Sequence, residues 1–146
     1  MLRYIGGRLG GAAAAIFGAI GIYGIVLPSL TPAFPSVALA NIVRGATCPH
    51  PIAASVGYQE PSLVFLAGTA TRMIDASSAA DFLSRGGCRL ALIDADNQRA
   101  FALRAEAIGL HYRAGPTITG FNLSNGHKVT ITAFEPIGAA AASPAR

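Results

Sequence analysis

Two side chains able to bind a ligand, Tyr58 and Glu60, stand in the segment 57–69, GYQEPSLVFLAGT. They come just before Pro61 and the apolar run Leu63–Leu66, which has the length of a buried strand. A phenol and a carboxylate at the mouth of a buried strand need hydrogen-bonding partners, because burial without them costs free energy. The pattern predicts that this segment lies where the domain meets the molecule on which it acts.

A second group of polar side chains occurs in the segment 121–126, FNLSNG. Asn125 followed by Gly126 is the preferred dipeptide of a tight type I′ hairpin turn. The amides of Asn122 and Asn125 could also hydrogen-bond a ligand. Asn122 with Ser124 fits a glycosylation sequon as well, but turn formation is the simpler role for these residues.

The two cysteines, Cys48 and Cys88, are the only ones in the chain. If the domain lies in an oxidising compartment, they could form a structural disulfide. Two free, buried thiols are the alternative, because sequence cannot show that the two residues approach within bonding distance.

No pattern in the chain predicts a metal, a cofactor or a catalytic set. The three histidines, His50, His111 and His127, are scattered and do not have metal-ligand spacing. Asp94 and Asp96 form a D-x-D pattern like the one that holds a metal in sugar-nucleotide transferases. The interpretation favoured here is that a strand ends at Ile93 and that Asp96 caps the next helix.

The N-terminal part of the chain has the composition of a membrane segment. Leu9–Leu27 contains no charged residue, and as a helix it would be about 28 Å long, close to the thickness of a bilayer core. Arg3 and Arg8 precede it, and the next basic residue is Arg44. The positive-inside rule then predicts a membrane protein with a cytoplasmic N-terminus and a C-terminal domain on the outer side of the membrane.

Small residues recur every fourth position on this predicted helix, at Gly7, Gly11, Ala15 and Ala19. Such a face allows another helix to approach closely, because lipid supplies no hydrophobic drive for helix pairing. The predicted partners are therefore membrane lipid and other transmembrane helices. A secretory signal cleaved after Ala40, in the A-x-A triplet 38–40, is the alternative.

The remainder of the chain predicts a small α/β domain. Its expected sheet is mainly parallel, with a C-terminal β-hairpin, because strands alternate with helices before two final strands. The predicted strands are Ile52–Val56, Leu63–Leu66, Arg89–Ile93, His111–Phe121 and His127–Phe134. The predicted helices are Ser36–Arg44, lying at the membrane interface, Ser78–Arg85, capped by Ser78 with Asp81, and Asn97–Ile108, capped by Asp96.

These elements divide the chain into four predicted regions. They are a transmembrane anchor over 1–30, an interfacial helix and linker over 31–51, the α/β domain outside the membrane over 52–136, and a disordered tail over 137–146. The net charge of +4 does not indicate nucleic-acid binding. Three of the 11 basic residues precede residue 45, so eight basic residues face all seven acidic ones in the domain, without a basic stripe.

Three strings in the chain resemble a known family: GYQEPSLVFLAGT at 57–69, GGCRLALI at 86–93 and GFNLSNGHKVTI at 120–131. They are similar to the C-terminal part of bacterial C-type integral-membrane glycosyltransferases, which are related to aminoarabinose transferase and the protein O-mannosyltransferases. The string EPSLVFL is the most specific piece. The resemblance covers nearly the whole chain, with 10–27 matching a last membrane helix.

The resemblance implies an inner-membrane location and a small periplasmic α/β domain, at the end of an enzyme that uses polyprenyl-phosphate-linked sugars. In the family, the catalytic acidic residues lie in external loops far upstream, for which this chain has no counterpart. The chain is therefore expected to be non-catalytic alone, as a truncated or split gene product or a separate C-terminal subunit. Tyr58, Glu60, Asn122 and Asn125 are the residues expected to contact substrate. A stand-alone membrane-anchored interaction module is the alternative function.

Overall fold

A computed structural model describes residues 14–26, 34–122 and 124–137 of the chain. The chain divides into two compact units, Met1–Pro32 and Ala33–Arg146. In the first unit, residues 14–21 are α-helical and Ile22–Val26 form a turn of π-helix. The side chains of Ala15 and Ala19 are exposed on this helix, whereas Gly7 and Gly11 lie outside the described residues.

The predicted transmembrane helix over Leu9–Leu27 is wrong, and with it the predicted inner-membrane localisation. Across residues 14–26, 34–122 and 124–137, no helix combines the length and the apolar character needed to cross a membrane. An uncharged run was a correct observation, but it did not establish a continuous helix of spanning length.

The second unit contains five strands and four α-helices among the described residues. In chain order they are α1 (Pro35–Arg44), β1 (Ile52–Val56), α2 (Pro61–Ala67), β2 (Arg72–Met73), α3 (Ala76–Ser84), β3 (Arg89–Asp94), α4 (Gln98–Ala107), β4 (Tyr112–Phe121) and β5 (Lys128–Pro136). A 3-10 turn, Ala95–Asn97, leads into α4. The predicted tail falls outside the described residues, except for Ile137.

The sheet is mixed, so the prediction of a mainly parallel sheet is also wrong. Its strand order is β2-β1-β3-β5-β4. Strand β1 pairs in parallel with β2 and β3, whereas β5 pairs antiparallel with both β3 and β4. The β4–β5 ladder runs from Tyr112↔Pro136 to Phe121↔Lys128, while the β1–β2 ladder has only two residue pairs. The hairpin therefore contributes more of the sheet than the parallel strands do.

The hairpin joins the sheet in this way because its second strand is buried on both faces. Ile131 and Ala133 pack on one face, while Phe134 packs on the other. A strand that is apolar on both faces needs neighbours and helices around it. Strand β5 therefore lies inside the sheet, next to β3, and β4 forms the edge.

Helices cover the sheet on both faces, and each face has its own hydrophobic core. Helices α3 and α4 pack on one face through residues such as Phe82, Leu83 and Phe101. Helices α1 and α2 pack on the other through Leu39 and Leu63. Successive strand residues alternate between the two cores, as the two-residue period of a strand requires.

The apolar run Leu63–Leu66, predicted as a strand, lies in helix α2. Pro61 occupies the first turn, where its fixed φ suits a helix, and Glu60 before it is extended. Only Leu63 of this helix is buried, and Phe65 is 87% exposed. A run this short has no periodicity that separates a strand from a helix. Pro61, which suits the first turn of a helix, was the residue that indicated a helix.

Both predicted helix caps are displaced toward the N-terminus. Helix α3 is capped by Asp75, whose carboxylate accepts a hydrogen bond from the Ser78 backbone N–H at 2.9 Å. The 3-10 turn before α4 is capped by Asp94, which accepts from the Asn97 N–H at 3.1 Å. Asp96 is exposed within that turn. Each helical segment therefore begins earlier than its sequence pattern predicted.

Helix α1 confirms the predicted helix over Ser36–Arg44 and extends it to Pro35. It belongs to the core of the domain, because Leu39, Ala40 and Val43 are almost fully buried. Ala40, the residue of the alternative cleavage site, is 0% exposed inside this helix.

Candidate functional site

Four strands run in the same direction and end at one edge of the sheet. Strands β1, β2 and β3 are parallel, and β4 has the same direction because both β3 and β4 are antiparallel to β5. The segments that follow their carboxyl ends therefore meet at this edge, which we call the carboxyl edge. They are residues 57–60, 74–75, 94–97 and 122–127.

Glu60 connects two of these segments. Its Oε1 accepts hydrogen bonds from the backbone N–H of Ser124, at 2.8 Å, and from the Ser124 hydroxyl. The two residues are separated by 64 positions in sequence. Glu60 thus holds the loop after β1 against the loop of the β4–β5 hairpin. The segment with Tyr58 and Glu60 is therefore adjacent to the segment with Asn122 and Asn125, as the predicted substrate-binding residues require.

The hairpin loop is longer than the predicted two-residue turn. Asn122 accepts a hydrogen bond from the Gly126 N–H at 2.7 Å through its backbone carbonyl, and its N–H donates to the His127 carbonyl. Gly126 has a positive φ of 72°, whereas Asn125 does not, although a type I′ turn requires it at both positions. The predicted type I′ turn at these two residues is therefore wrong.

The two asparagine side chains stabilise this loop. Asn122 is nearly buried, and its Oδ1 accepts from the Ser124 N–H at 3.0 Å. Asn125 is exposed, and its Oδ1 accepts from the His127 N–H at 2.9 Å. Because the side chain of Asn122 is buried, its Nδ2 atom is poorly placed for glycosylation. Asn125 is the asparagine that solvent and ligands can reach.

Tyr58 is buried and faces the interior, away from solvent. Only 2% of its surface is exposed, and its hydroxyl hydrogen-bonds to the Ser36 hydroxyl at 2.7 Å. Ser36 also hydrogen-bonds to the Ser62 hydroxyl at 2.8 Å, so the three hydroxyls join α1 to α2. Burial raises the pKa of Tyr58, partly opposed by the Ser36 hydrogen bond and reinforced by the nearby Glu60 charge. The structure therefore gives Tyr58 a positioning role beneath the carboxyl edge.

Gly57 leaves no room for a side chain at the carboxyl edge. It has a φ of 78°, and a Cβ at this position would strike the carboxylate of Asp94. Only glycine combines this backbone conformation with so close an approach. Asp94 in turn accepts from the side-chain amide of Asn97 at 2.6 Å. The ends of β1 and β3 are consequently fixed against each other.

Gly57, Asp75, Asp94 and Asn97 were not predicted from the sequence as members of the carboxyl edge. Their common signal is position, since Gly57, Asp75 and Asn97 follow the ends of strands and Asp94 is the last residue of β3. Asp94 was predicted only as part of the D-x-D pattern with Asp96. Asp75 was not singled out, because strand β2 was not predicted. The Ser78 hydroxyl and N–H groups hold the pKa of Asp75 below its ordinary value.

The disulfide lies at the opposite edge of the sheet. Cys48 and Cys88 are bonded, with their Cα atoms 5.6 Å apart. Cys48 precedes β1 and Cys88 precedes β3, so the bond joins the amino ends of two neighbouring strands. Of the two alternatives that the sequence left open, the structure contains the disulfide.

The edge holds carboxylates, amides and hydroxyls but no metal-binding cluster. Within residues 14–26, 34–122 and 124–137, no three histidine, cysteine or acidic side chains gather closely enough to hold an ion. The carboxylates of Glu60, Asp75 and Asp94 each accept hydrogen bonds from neighbouring residues. The arrangement suits binding of hydroxyl-rich molecules better than acid–base chemistry.

Comparisons with protein-family models, with curated proteins and with solved structures give no match to this chain. What the domain does is therefore inferred from its own residues.

Proposed function

We propose that this domain is the non-catalytic, C-terminal portion of a glycosyltransferase that uses polyprenyl-phosphate-linked sugars. In this proposal the carboxyl edge contributes structural and substrate contacts, while the catalytic acidic residues lie elsewhere in the enzyme. The residues that would touch substrate are Glu60 and Asn125, supported by Tyr58 and Asn122 from beneath.

The observation that carries the proposal is the hydrogen bonding between Glu60 and Ser124. GYQEP belongs to the string GYQEPSLVFLAGT and FNLSNG to the string GFNLSNGHKVTI, which are two of the three strings that resemble the transferases. They are far apart in sequence and adjacent in space. Their adjacency supports one common surface rather than two unrelated similarities.

The chemistry of the edge supports a binding role for the domain. A general acid or base works best with a pKa near the operating pH. The pKa of Asp75 is instead lowered by its hydrogen bonds, and Tyr58 is enclosed with a raised pKa. Carboxylate and amide oxygens at an open edge can still accept hydrogen bonds from sugar hydroxyls.

A titration of the full chain with a hexose linked to a short prenyl phosphate tests the proposal. Backbone amide NMR signals of Glu60, Ser124 and Asn125 should change and saturate. Glu60→Ala should weaken binding about fivefold, since one hydrogen bond is worth ~1 kcal/mol. Glu60→Gln keeps an acceptor oxygen and should weaken binding less.

Glu106→Ala is the matched control, because Glu106 is exposed on α4 and lies outside the edge. It should bind as the unchanged protein does. The proposal is wrong if no signal saturates, or if Glu60→Ala binds normally while urea unfolding shows that it is folded. Either result would favour the alternative of an interaction module, for which the exposed Phe65 on α2 is the most prominent surface residue.

A further inference from the structure

An open cleft lies over the carboxyl ends of β1 and β2. Its volume is about 570 Å³, within the range of small-molecule sites. Val56 and Gly57 come from the end of β1, Met73 and Ile74 from the end of β2, and Asn97 from the turn after β3. Gln59 and Asp75 complete its lining.

The position of this cleft follows from the topology of the sheet. After β1 the chain crosses to β2 on one side, whereas after β3 it continues to the hairpin on the other side. Neighbouring strands whose connections diverge leave a crevice at their carboxyl ends, where open α/β sheets bind ligands. In this domain the divergence lies between β1 and β3.

The residues around this divergence are held rigidly. Gly57 lies directly against the Asp94 carboxylate, with no room for a Cβ. Asp94 accepts hydrogen bonds from both the backbone N–H and the side-chain Nδ2 of Asn97. These contacts orient the Asn97 amide and leave its Oδ1 atom as an acceptor. A binding group fixed in advance loses little entropy when a ligand arrives.

The lining defines the kind of ligand that the cleft would accept. Met73 and Ile74 are half-buried apolar residues, and the exposed Gln59 provides an amide with donors and an acceptor. Each oxygen of Asp75 accepts one hydrogen bond from Ser78 and keeps a second lone pair. None of the described lining residues is Lys or Arg.

We infer that this cleft binds an uncharged, hydroxyl-rich ligand of monosaccharide type, with phosphate groups excluded. Sugar hydroxyls would donate to Asp75 and Asn97, and Gln59 would pair with a further hydroxyl. The C–H face of the ring would lie on Ile74. The negative charge of Asp75, without a basic residue in the lining, opposes a phosphate at this position.

Amide NMR titration of the full chain with methyl glucopyranoside and methyl mannopyranoside tests this inference. At least one of the two should produce saturable changes at Ile74, Asp75 and Asn97, and inorganic phosphate should produce none there. Gln59→Leu should weaken the binding about fivefold through loss of its hydrogen bonds. Gln98→Leu is the matched control, since the other glutamine of the chain does not line the cleft, and it should leave the affinity unchanged.

Three results would overturn the inference. They are the absence of saturation with both glycosides, equal saturation of the same amides by phosphate, and equal weakening by Gln59→Leu and Gln98→Leu. The inference goes beyond the proposed function, and the two can fail separately. Binding of the prenyl-phosphate hexose at Ser124 without glycoside binding at Ile74 would refute the cleft alone, and the reverse pattern would refute the transferase role alone.

Discussion

At the scale of single residues, the side chains predicted to bind a ligand use much of their hydrogen-bonding capacity within the protein itself. The hydroxyl of Tyr58 is bonded to Ser36, and Glu60 accepts two hydrogen bonds from Ser124. The residue types of Tyr58 and Glu60 showed that they need hydrogen-bonding partners. Which partners they have could not be predicted, because Ser36 and Ser124 are distant in the chain. Tyr58 is consequently a supporting residue, and Glu60 is both a structural link and an edge residue.

The raised pKa of Tyr58 predicts a loss of stability at alkaline pH. An unfolded tyrosine ionises near pH 10, while buried Tyr58 keeps its proton, so its contribution is complete below about pH 10 and declines as the pH rises. Tyr58→Phe should lower the free energy of unfolding by ~1 kcal/mol at pH 7, through loss of the Ser36 hydrogen bond. The difference between the two proteins should become smaller above pH 10. Urea unfolding at pH 7 to 11 measures it, and a constant difference would contradict the prediction.

At the scale of elements, short patterns identified helices and strands with uneven success. Helices over Ser36–Arg44 and Asn97–Ile108 and the strand Arg89–Ile93 were predicted close to their observed bounds. Leu63–Leu66 was mistaken for a strand, because a few apolar residues fit either structure. The caps were misplaced because several neighbouring Ser and Asp residues could each satisfy a helix N-terminus.

The carboxylate of Asp75 predicts how α3 responds to acid. Because the Ser78 hydrogen bonds lower the pKa of Asp75, the stabilisation is complete above its ordinary pKa of about 4 and is lost as the pH falls through its folded-state pKa. Asp75→Ala should therefore lower Tm at pH 7, with a smaller difference at pH 2. Asp96→Ala, at the position wrongly predicted to be a cap, should change the unfolding free energy by less than about 0.5 kcal/mol. Equal effects of the two substitutions at pH 7 would refute Asp75 as the cap.

At the scale of the whole molecule, the disulfide and the sheet order hold distant parts of the chain together. Cys48 and Cys88 are 40 residues apart in sequence, and their bond joins the segment before β1 to the start of β3. The same two strands carry Gly57 and Asp94 at their other ends. Strands β1 and β3 therefore connect the disulfide at their amino ends with the polar residues at their carboxyl ends.

The disulfide is expected to contribute to the stability of the domain, and replacement of both cysteines measures how much. Cys48→Ser with Cys88→Ser should lower the free energy of unfolding by roughly 2–4 kcal/mol, because the unfolded chain regains the entropy of a long loop. Urea unfolding of the variant measures the loss, and the unchanged protein treated with dithiothreitol should show the same loss. A variant as stable as the oxidised protein would show that the bond does not stabilise the fold.

The predicted membrane helix shows how far composition can mislead about architecture. The uncharged run Leu9–Leu27 matches a bilayer in length and polarity. Within residues 14–26, 34–122 and 124–137, no helix meets the requirements of a membrane span. The composition of a segment indicates its polarity. A helix that spans a membrane also needs unbroken backbone hydrogen bonds across the whole bilayer.

The sequence by itself determined the α/β character of the domain, the final hairpin, the pair of cysteines available for a bond and the polar segments near residues 58–60 and 122–125. These properties depend on local periodicity, turn chemistry and residue type. Only the tertiary structure decided that β5 lies beside β3, that Glu60 reaches Ser124 and that Gly57 lies against Asp94. Those contacts depend on strand order, which is decided by the burial of both faces of the whole sheet and not by any segment alone. The segment GYQEP was recognised as polar from its residues, but its place on a shared edge came from the sheet.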